Sequence, residues 1–182
     1  MTNVFQGERV RLRALRPDDW PAFEAFDADS ELTRSLYFIP FPRSPERSRQ
    51  WAAEQAMAEP KHDNFFWVIE NHEGKVVGSI STHDCSSRNG TFDYGVCIGL
   101  DHRRQGYASE AIRLILRYFF GELRYQKVTV RVYAFNEPSL RLHLKLGFQP
   151  EGRLRRMIFS RGEYHDVLLL GMTADEFRAA PV

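Results

Sequence analysis

Residues 92 to 133 constrain this chain more than any other stretch. Phe92-Asp93-Tyr94-Gly95-Val96-Cys97-Ile98-Gly99-Leu100 is an apolar, strand-like run. It gives way to Arg103-Arg104-Gln105-Gly106-Tyr107-Ala108, and then to Ala108, Ala111, Ile112, Ile115, Leu116 and Phe119 at intervals of three to four residues. That spacing predicts an amphipathic helix beginning near Tyr107 with one buried stripe. Lys127 to Tyr133 follows, with Val128, Val130 and Val132 on one face of a predicted strand. Strand, glycine turn, helix and strand make a β-α-β unit, which commits the sheet to at least one parallel pair.

The turn has a chemistry of its own. The first amides of a helix have no intrahelical partners, and the helix dipole favours negative charge beside them. Gly106 lets a ligand approach the backbone, Ala108 keeps the first turn slim, and Arg103 and Arg104 add positive charge, so the segment reads as a phosphate cradle. It is neither a dinucleotide fingerprint, which needs three spaced glycines, nor a Walker loop, since no Gly-Lys-Ser/Thr follows. Taken alone it is also compatible with a plain structural turn.

The remaining chain supplies a sheet and its covering helices. Arg9 to Leu15 alternates as a first strand, Arg16-Pro17-Asp18-Asp19-Trp20 opens a helix carrying Phe23 and Phe26, and Tyr37 to Pro42 is a proline-broken loop. Ser44-Pro45-Glu46 caps a second helix to about Glu59. Strands are predicted at 65–70 and 75–82 around Asn71-His72-Glu73-Gly74, and Ser86 to Gly90 turns into the strand at 92–100. Asn136-Glu137-Pro138-Ser139 opens a helix that stops at Gly147, with Leu140, Leu144 and Leu146 facing the core. Strands at 148–160 and 164–172, linked through Arg161-Gly162-Glu163, and a short C-terminal helix complete the chain. The expectation is one domain over residues 1–182 of mixed α/β (α+β) class. Its sheet is mixed, mostly antiparallel and six- to seven-stranded, flanked by about four helices on both faces.

The formal net charge of +1 gives no global case for a nucleic-acid or membrane-surface protein. Cys85 and Cys97 have no CxxC spacing or disulfide pattern, no metal-ligand cluster is evident, and no run has the length of a membrane span. The N-terminus shows no secretory apolar region. A cytoplasmic protein without nucleic-acid or membrane partners is expected, with a homodimer as the default assembly.

The strand, Arg103-x-x-Gly106-x-Ala108, the amphipathic helix, the next strand, Asn136-x-x-Ser139 and Lys145-Leu146-Gly147-Phe148 together resemble the GNAT superfamily of acyl-CoA-dependent N-acetyltransferases. The tail, with Glu151-Gly152 and Gly162-Glu163-Tyr164-His165-Asp166, is similar to the branch holding ribosomal-protein N-terminal and spermidine acetyltransferases. Residues 136–143 also look like the corresponding helix of phosphinothricin-type acetyltransferases. The resemblance implies acetyl-CoA as donor, with its pyrophosphate on the amides of Arg104, Gln105, Gly106, Tyr107, Ala108 and Ser109, and Arg103 starting the motif. It further implies that the pantetheine arm lies along the 92–100 strand near the Ile98 backbone, contacted by Asn136. The cofactor would enter a V-shaped gap between that strand and 127–133. No metal is implied.

Acyl transfer to an amine requires a deprotonated amine, donors for the oxyanion and a proton for the leaving thiolate. The family commonly carries a tyrosine acid seven residues beyond the asparagine, and here that residue is His143. Ser139 sits where the resemblance to ribosomal-protein acetyltransferases implies a serine acid instead, so Ser139 and His143 are the candidates; with Asn136 they are spaced i, i+3, i+7 and share a helical face. Asp93, where polyamine acetyltransferases carry a glutamate, is the first candidate base. His83 and Asp84 are second, and Tyr164 and Asp166 are candidates for shaping the acceptor pocket along with the 37–42 loop. Each has a plain alternative: His143 bonded within the fold, Ser139 capping its helix, Asp93 a solvated carboxylate near a turn. The expected acceptor is a small amine or a protein N-terminus. A non-catalytic acyl-CoA-binding sensor is the rival reading.

Overall fold

A computed structural model describes residues 3–179. In chain order these form β1 (Val10–Ala14), a 3-10 turn (Pro17–Asp19), α1 (Trp20–Ala28), α2 (Ser30–Leu36), α3 (Pro45–Ala56), β2 (Phe66–Asn71), β3 (Val76–Ser86) and β4 (Thr91–Ile98). A second 3-10 turn (Leu100–His102) precedes α4 (Tyr107–Gly121), β5 (Lys127–Tyr133), α5 (Glu137–Lys145), β6 (Gln149–Ser160), β7 (Glu163–Thr173) and α6 (Ala174–Ala179). All seven strands join one sheet in the order β1-β2-β3-β4-β5-β7-β6. Only β4 and β5 pair in parallel, as the β-α-β unit requires; the other neighbours are antiparallel.

The sheet matches the expected six to seven strands, but six α-helices stand among the described residues where about four were expected. The first predicted helix is in fact two. Asp29 has an extended backbone, breaks α1, and accepts hydrogen bonds from the amides of Glu31 and Leu32 to start α2. β3 also outruns its predicted end by four residues, which carries His83 and Asp84 into the sheet.

Two apolar layers cover the sheet. On one face α4 embeds its apolar stripe: Ala111, Ile112, Leu114, Ile115, Leu116 and Phe119 are each at most 1% exposed. They pack on Val10, Leu12, Ile69, Ile80, Phe92, Val128 and Val130. On the other face Phe23 of α1 and Ala52 of α3 pack on Leu15 and Val68. Arg13 ties the second layer down, donating to both carboxylate oxygens of Asp19 at 2.7 and 2.9 Å and to Glu70.

One contact fixes the start of α4 against the sheet. The Glu110 carboxylate, in the first turn, accepts from the backbone amides of Glu8, Arg9 and Val10 at 2.7, 2.8 and 2.9 Å. Gly7 is required beside it, because a Cβ there would come within 2.6 Å of that carboxylate. Three amides aimed at one charged acceptor make this a strong tether. Glu110→Ala is expected to lower unfolding free energy by about 2–4 kcal/mol, since bonds to charged groups contribute about 1.5–3 kcal/mol each and partly exposed amides recover water. Urea denaturation followed by circular dichroism measures it; a loss below ~0.5 kcal/mol would show the tether to be dispensable.

Candidate active site

The N-terminus of α4 is built to hold an anion. Gly106, its N-cap, has φ of +83°, and Arg104 has φ of +63°. Left-handed residues alternating with ordinary ones curl successive amides into a concave nest. No side chain caps the helix, so the first-turn amides are left for a ligand. Arg9 closes the turn from outside by donating to the Gln105 carbonyl at 3.1 Å.

Beside this nest the sheet opens. β4 and β5 pair only at Thr91–Lys127, Phe92–Val128 and Asp93–Thr129, although β4 runs on to Ile98 and β5 to Tyr133. Gly99 donates to the Val77 carbonyl on the β3 side. Polar groups alternate along a strand, so Val96 and Ile98 turn theirs the other way, into the gap. The V-shaped opening expected between these strands is therefore present, with the Val96 and Ile98 amides free of strand partners along one wall and the Ile98 carbonyl accepting from Arg103 Nε at 3.4 Å.

The gap and the nest merge into one cavity of about 390 Å³, within the usual range for ligand pockets. Ile98, Arg103, Arg104, Gly106, Tyr107, Ala108, Ser109, Asn136 and Ser139 all line it. Gln105 does not. Its side chain accepts from the Tyr107 hydroxyl at 2.8 Å on the far side of the turn, in a concavity shared with Arg9 and Asn71. Val96, His102, Leu142 and the α2 residues Leu32, Ser35 and Leu36 also line the cavity and were missed. Strand alternation could have revealed Val96; nothing local to α2 signals a cleft wall. Asn136 serves two elements, accepting from the Ser139 amide at 3.3 Å and donating to the Ser35 carbonyl at 3.4 Å.

His143 is not on the cavity wall. It is 3% exposed and lies behind Ser139, against Tyr94 (ring centroids 5.9 Å) and Phe148 (5.1 Å). Its Nδ1 is 2.8 Å from the Ser139 carbonyl and 3.4 Å from Ser139 Oγ. The short contact requires Nδ1–H as donor, which makes Nε2 an acceptor; Nε2 and the Tyr94 hydroxyl are both buried without a partner among the described residues. Burial pushes the His143 imidazole below its ordinary value, outweighing the bond to Ser139, so it is held neutral. The predicted polar stripe is thus two surface groups, Asn136 and Ser139, with a buried imidazole beneath. Leu144, expected in the core, is 44% exposed.

The candidate bases lie on the opposite face of the sheet, and none of them lines the cavity. Asp93 stands opposite His83 in the β3–β4 register, and its carboxylate is 3.8 Å from Arg131 Nε. Burial pushes the Asp93 carboxyl up to about 6, against the pull of Arg131. His83 Nε2 lies 2.9 Å from Ser81 Oγ, and burial lowers its pKa despite Asp84 nearby. Asp84 has φ of +48° in the bulge that ends the β3–β4 ladder. Tyr164 and Asp166 prove to be on the other face: in the β5–β7 register Arg131 faces Leu169, and alternation puts residues 164 and 166 opposite to that. Asp166 instead holds Arg153 and the Arg156 amide. The loop after α2 leaves Tyr37, Phe38 and Phe41 at 70, 59 and 92% exposure, so these rings do not plug the core edge.

Among the described residues no group of three His, Cys, Asp or Glu side chains could hold a metal ion, and no helix is long and apolar enough to cross a membrane. Residues 9–149 match the family model described as an acetyltransferase (GNAT) domain. Over 171 residues the chain is 43% identical to the SPbeta prophage-derived uncharacterized N-acetyltransferase YokL of Bacillus subtilis, spanning 94% of this chain and 93% of that one. The fold matches the crystal structure of a GNAT-family acetyltransferase from Bacillus anthracis with a TM-score of 0.79 at 23% identity, over 94% and 98% of the two chains. It matches the spermidine N-acetyltransferase of Vibrio cholerae, solved with CoA and spermine, with a TM-score of 0.80 at 19% identity, over 94% and 99%.

Gly106 carries the geometry of the nest. A Cβ there would meet the Arg9 guanidinium at 3.4 Å while sitting at φ of +83°. Gly106→Ala is expected to cost about 1–2 kcal/mol, the ordinary penalty for a left-handed residue with a side chain. A thermal melt checks this, and an unchanged midpoint would mean the turn relaxes freely to another conformation.

Proposed function

The chain belongs to the acetyltransferase (GNAT) family and is an N-acetyltransferase; we propose that it moves an acetyl group from acetyl-CoA directly to a primary amine within a ternary complex. The observation that carries this reading is the merging of the amide nest with the split between β4 and β5. A nest with arginines suits a pyrophosphate, and a gap edged by unpaired strand backbone suits an amide-bearing arm lying as an extra strand. The whole chain is read as one acyltransferase domain, working in the cytoplasm.

The residues divide the chemistry between them. Asp93, at the last rung before β4 and β5 part and outside the residues lining the cavity, takes the proton from the ammonium through water. A carboxyl at about 6 is ionised at neutral pH yet more basic than an exposed one. The backbone amides of Val96 and Ile98 face the gap and offer hydrogen bonds to the thioester oxygen. Ser139, which lines the cleft, supplies a hydroxyl for the departing sulfur. His143 acts through it as a positioning residue: its Nδ1–H fixes the carbonyl of Ser139 and so the first turn of α5. The exposed aromatic loop at 37–41 forms one wall of the acceptor side.

The reading fails if acetyl-CoA neither binds nor releases free CoA thiol with any of a broad panel of amines, among them polyamines, amino acids and peptide N-termini. The pH profile tests the base. Deprotonated Asp93 is the active form, so kcat/KM is expected to rise about tenfold per pH unit toward an apparent pKa near 6 and then level off. Asp93→Asn should abolish that limb and lower kcat/KM by about 10²- to 10⁴-fold, the usual worth of general-base catalysis. An Asp93→Asn enzyme with an unaltered profile would remove Asp93 from the mechanism. Ser139→Ala should lower kcat with little change in CoA affinity, and equal turnover would exclude the hydroxyl as the proton source.

A further inference from the structure

A second, smaller cavity of about 210 Å³ adjoins the cleft and carries an unusual set of charges. Arg34 of α2, Arg103 of the phosphate turn, and Arg161 and His165 of the β6–β7 hairpin converge on it, with Ser160 beside them and Glu31 as the one carboxylate. With His165 counted neutral this leaves two positive charges in excess. The cavity lies beside the large one, and Ser35, Arg103, Asn136 and Pro138 line both.

Two of the arginines are held in place. Glu31 pairs with Arg34 and with Arg161, so one carboxylate steers guanidinium groups from two distant elements toward the same space. Arg161 is also the wrong residue for its turn. Arg161 and Gly162 form a two-residue hairpin loop with φ of +54° and +82°, the geometry that favours Asn-Gly or Gly-Gly. A long cation in a left-handed position is a local cost borne by the fold, and its side chain reaches a cationic cavity. Strain of this kind is expected where a side chain has a use.

We propose that this cavity is a second anion subsite, taking a phosphate or carboxylate group at the edge of the catalytic cleft. Two sources share that chemistry: the 3′-phosphate of the donor, reaching over from the pyrophosphate nest through Arg103, or an acidic group on the acceptor. Naming the donor rests on the acetyl-CoA reading above; the subsite itself does not.

Calorimetric titration of wild type, Arg161→Asn and Arg34→Gln with CoA and with 3′-dephospho-CoA separates the sources. If the donor fills the subsite, wild type prefers CoA by at least about tenfold, the scale of one lost bond to a charged group, and both variants lose the preference. If wild type binds both cofactors equally, inorganic phosphate titrated onto the CoA complex and followed by NMR should perturb His165, and either substitution should abolish the shift; that result assigns the subsite to the acceptor. Equal cofactor affinities with no phosphate response overturn the proposal. Should wild type bind no CoA at all, the donor reading fails, while phosphate titrated onto the free protein still tests the subsite. Arg161→Asn should keep or raise the melting temperature, because asparagine suits the left-handed turn, so weakened anion binding cannot be ascribed to unfolding.

Discussion

The structure turns on a parallel strand pair that separates after three rungs. In the middle of a sheet, strands that part leave amides and carbonyls without partners, and each buried group left so costs about 1–3 kcal/mol. The separation therefore has to be held open from both sides. Behind it, Tyr94 packs on His143 and Phe148, so the end of α5 is pressed against β4 where the strands part. In front, the Tyr133 hydroxyl donates to the Leu36 carbonyl at 3.0 Å and Asn136 reaches Ser35, which pins α2 across the opening. The cleft is a consequence of these two props, and its unpaired backbone is what gives an extended ligand something to pair with.

The nest and the parted strands are written locally in the sequence, and the α2 wall across from them is not. Alternation marked β4 and β5, a helical period marked α4, and Gly106 with its arginines marked the nest, because each depends on neighbours within a few residues. α2 escaped notice because Ser30 to Leu36 has no apolar stripe, and its only local sign is the Asp29 cap. The Gln105 side chain leaves the cavity because the turn curls: Arg104 and Gly106 are left-handed, and the side chain between them is thrown outward. His143 was misplaced for a geometric reason. Seven residues along a helix return to the same face, but also descend about 10 Å at 1.5 Å per residue. The cleft meets Pro138, Ser139 and Leu142 of α5, while His143 turns beneath, packed on Tyr94.

Electrostatics separate the two sides of the opening. The phosphate side is exposed and cationic, with Arg9, Arg103 and Arg104 around an uncapped helix end whose dipole adds to their field. Where the strands part the sheet is half-buried, and there burial raises the Asp93 carboxyl to about 6 and lowers the His83 imidazole, so each holds its charged form less readily. Arg131, 62% exposed, lies close enough to Asp93 to moderate that shift without cancelling it. A single sheet thus presents a fixed positive field at one end of the gap and groups able to exchange protons at the other.

The exposed loop after α2 has a historical consequence. Tyr37, Phe38 and Phe41 project into solvent between prolines, whereas the residues that shape the nest are tied to the embedded α4 and to β1 through Glu110. Replacing a side chain that buries little costs little stability. Such a loop can drift through many sequences while the donor machinery stays intact, so a lineage built on this scaffold can exchange one amine for another by steps that never pass through an unfolded ancestor.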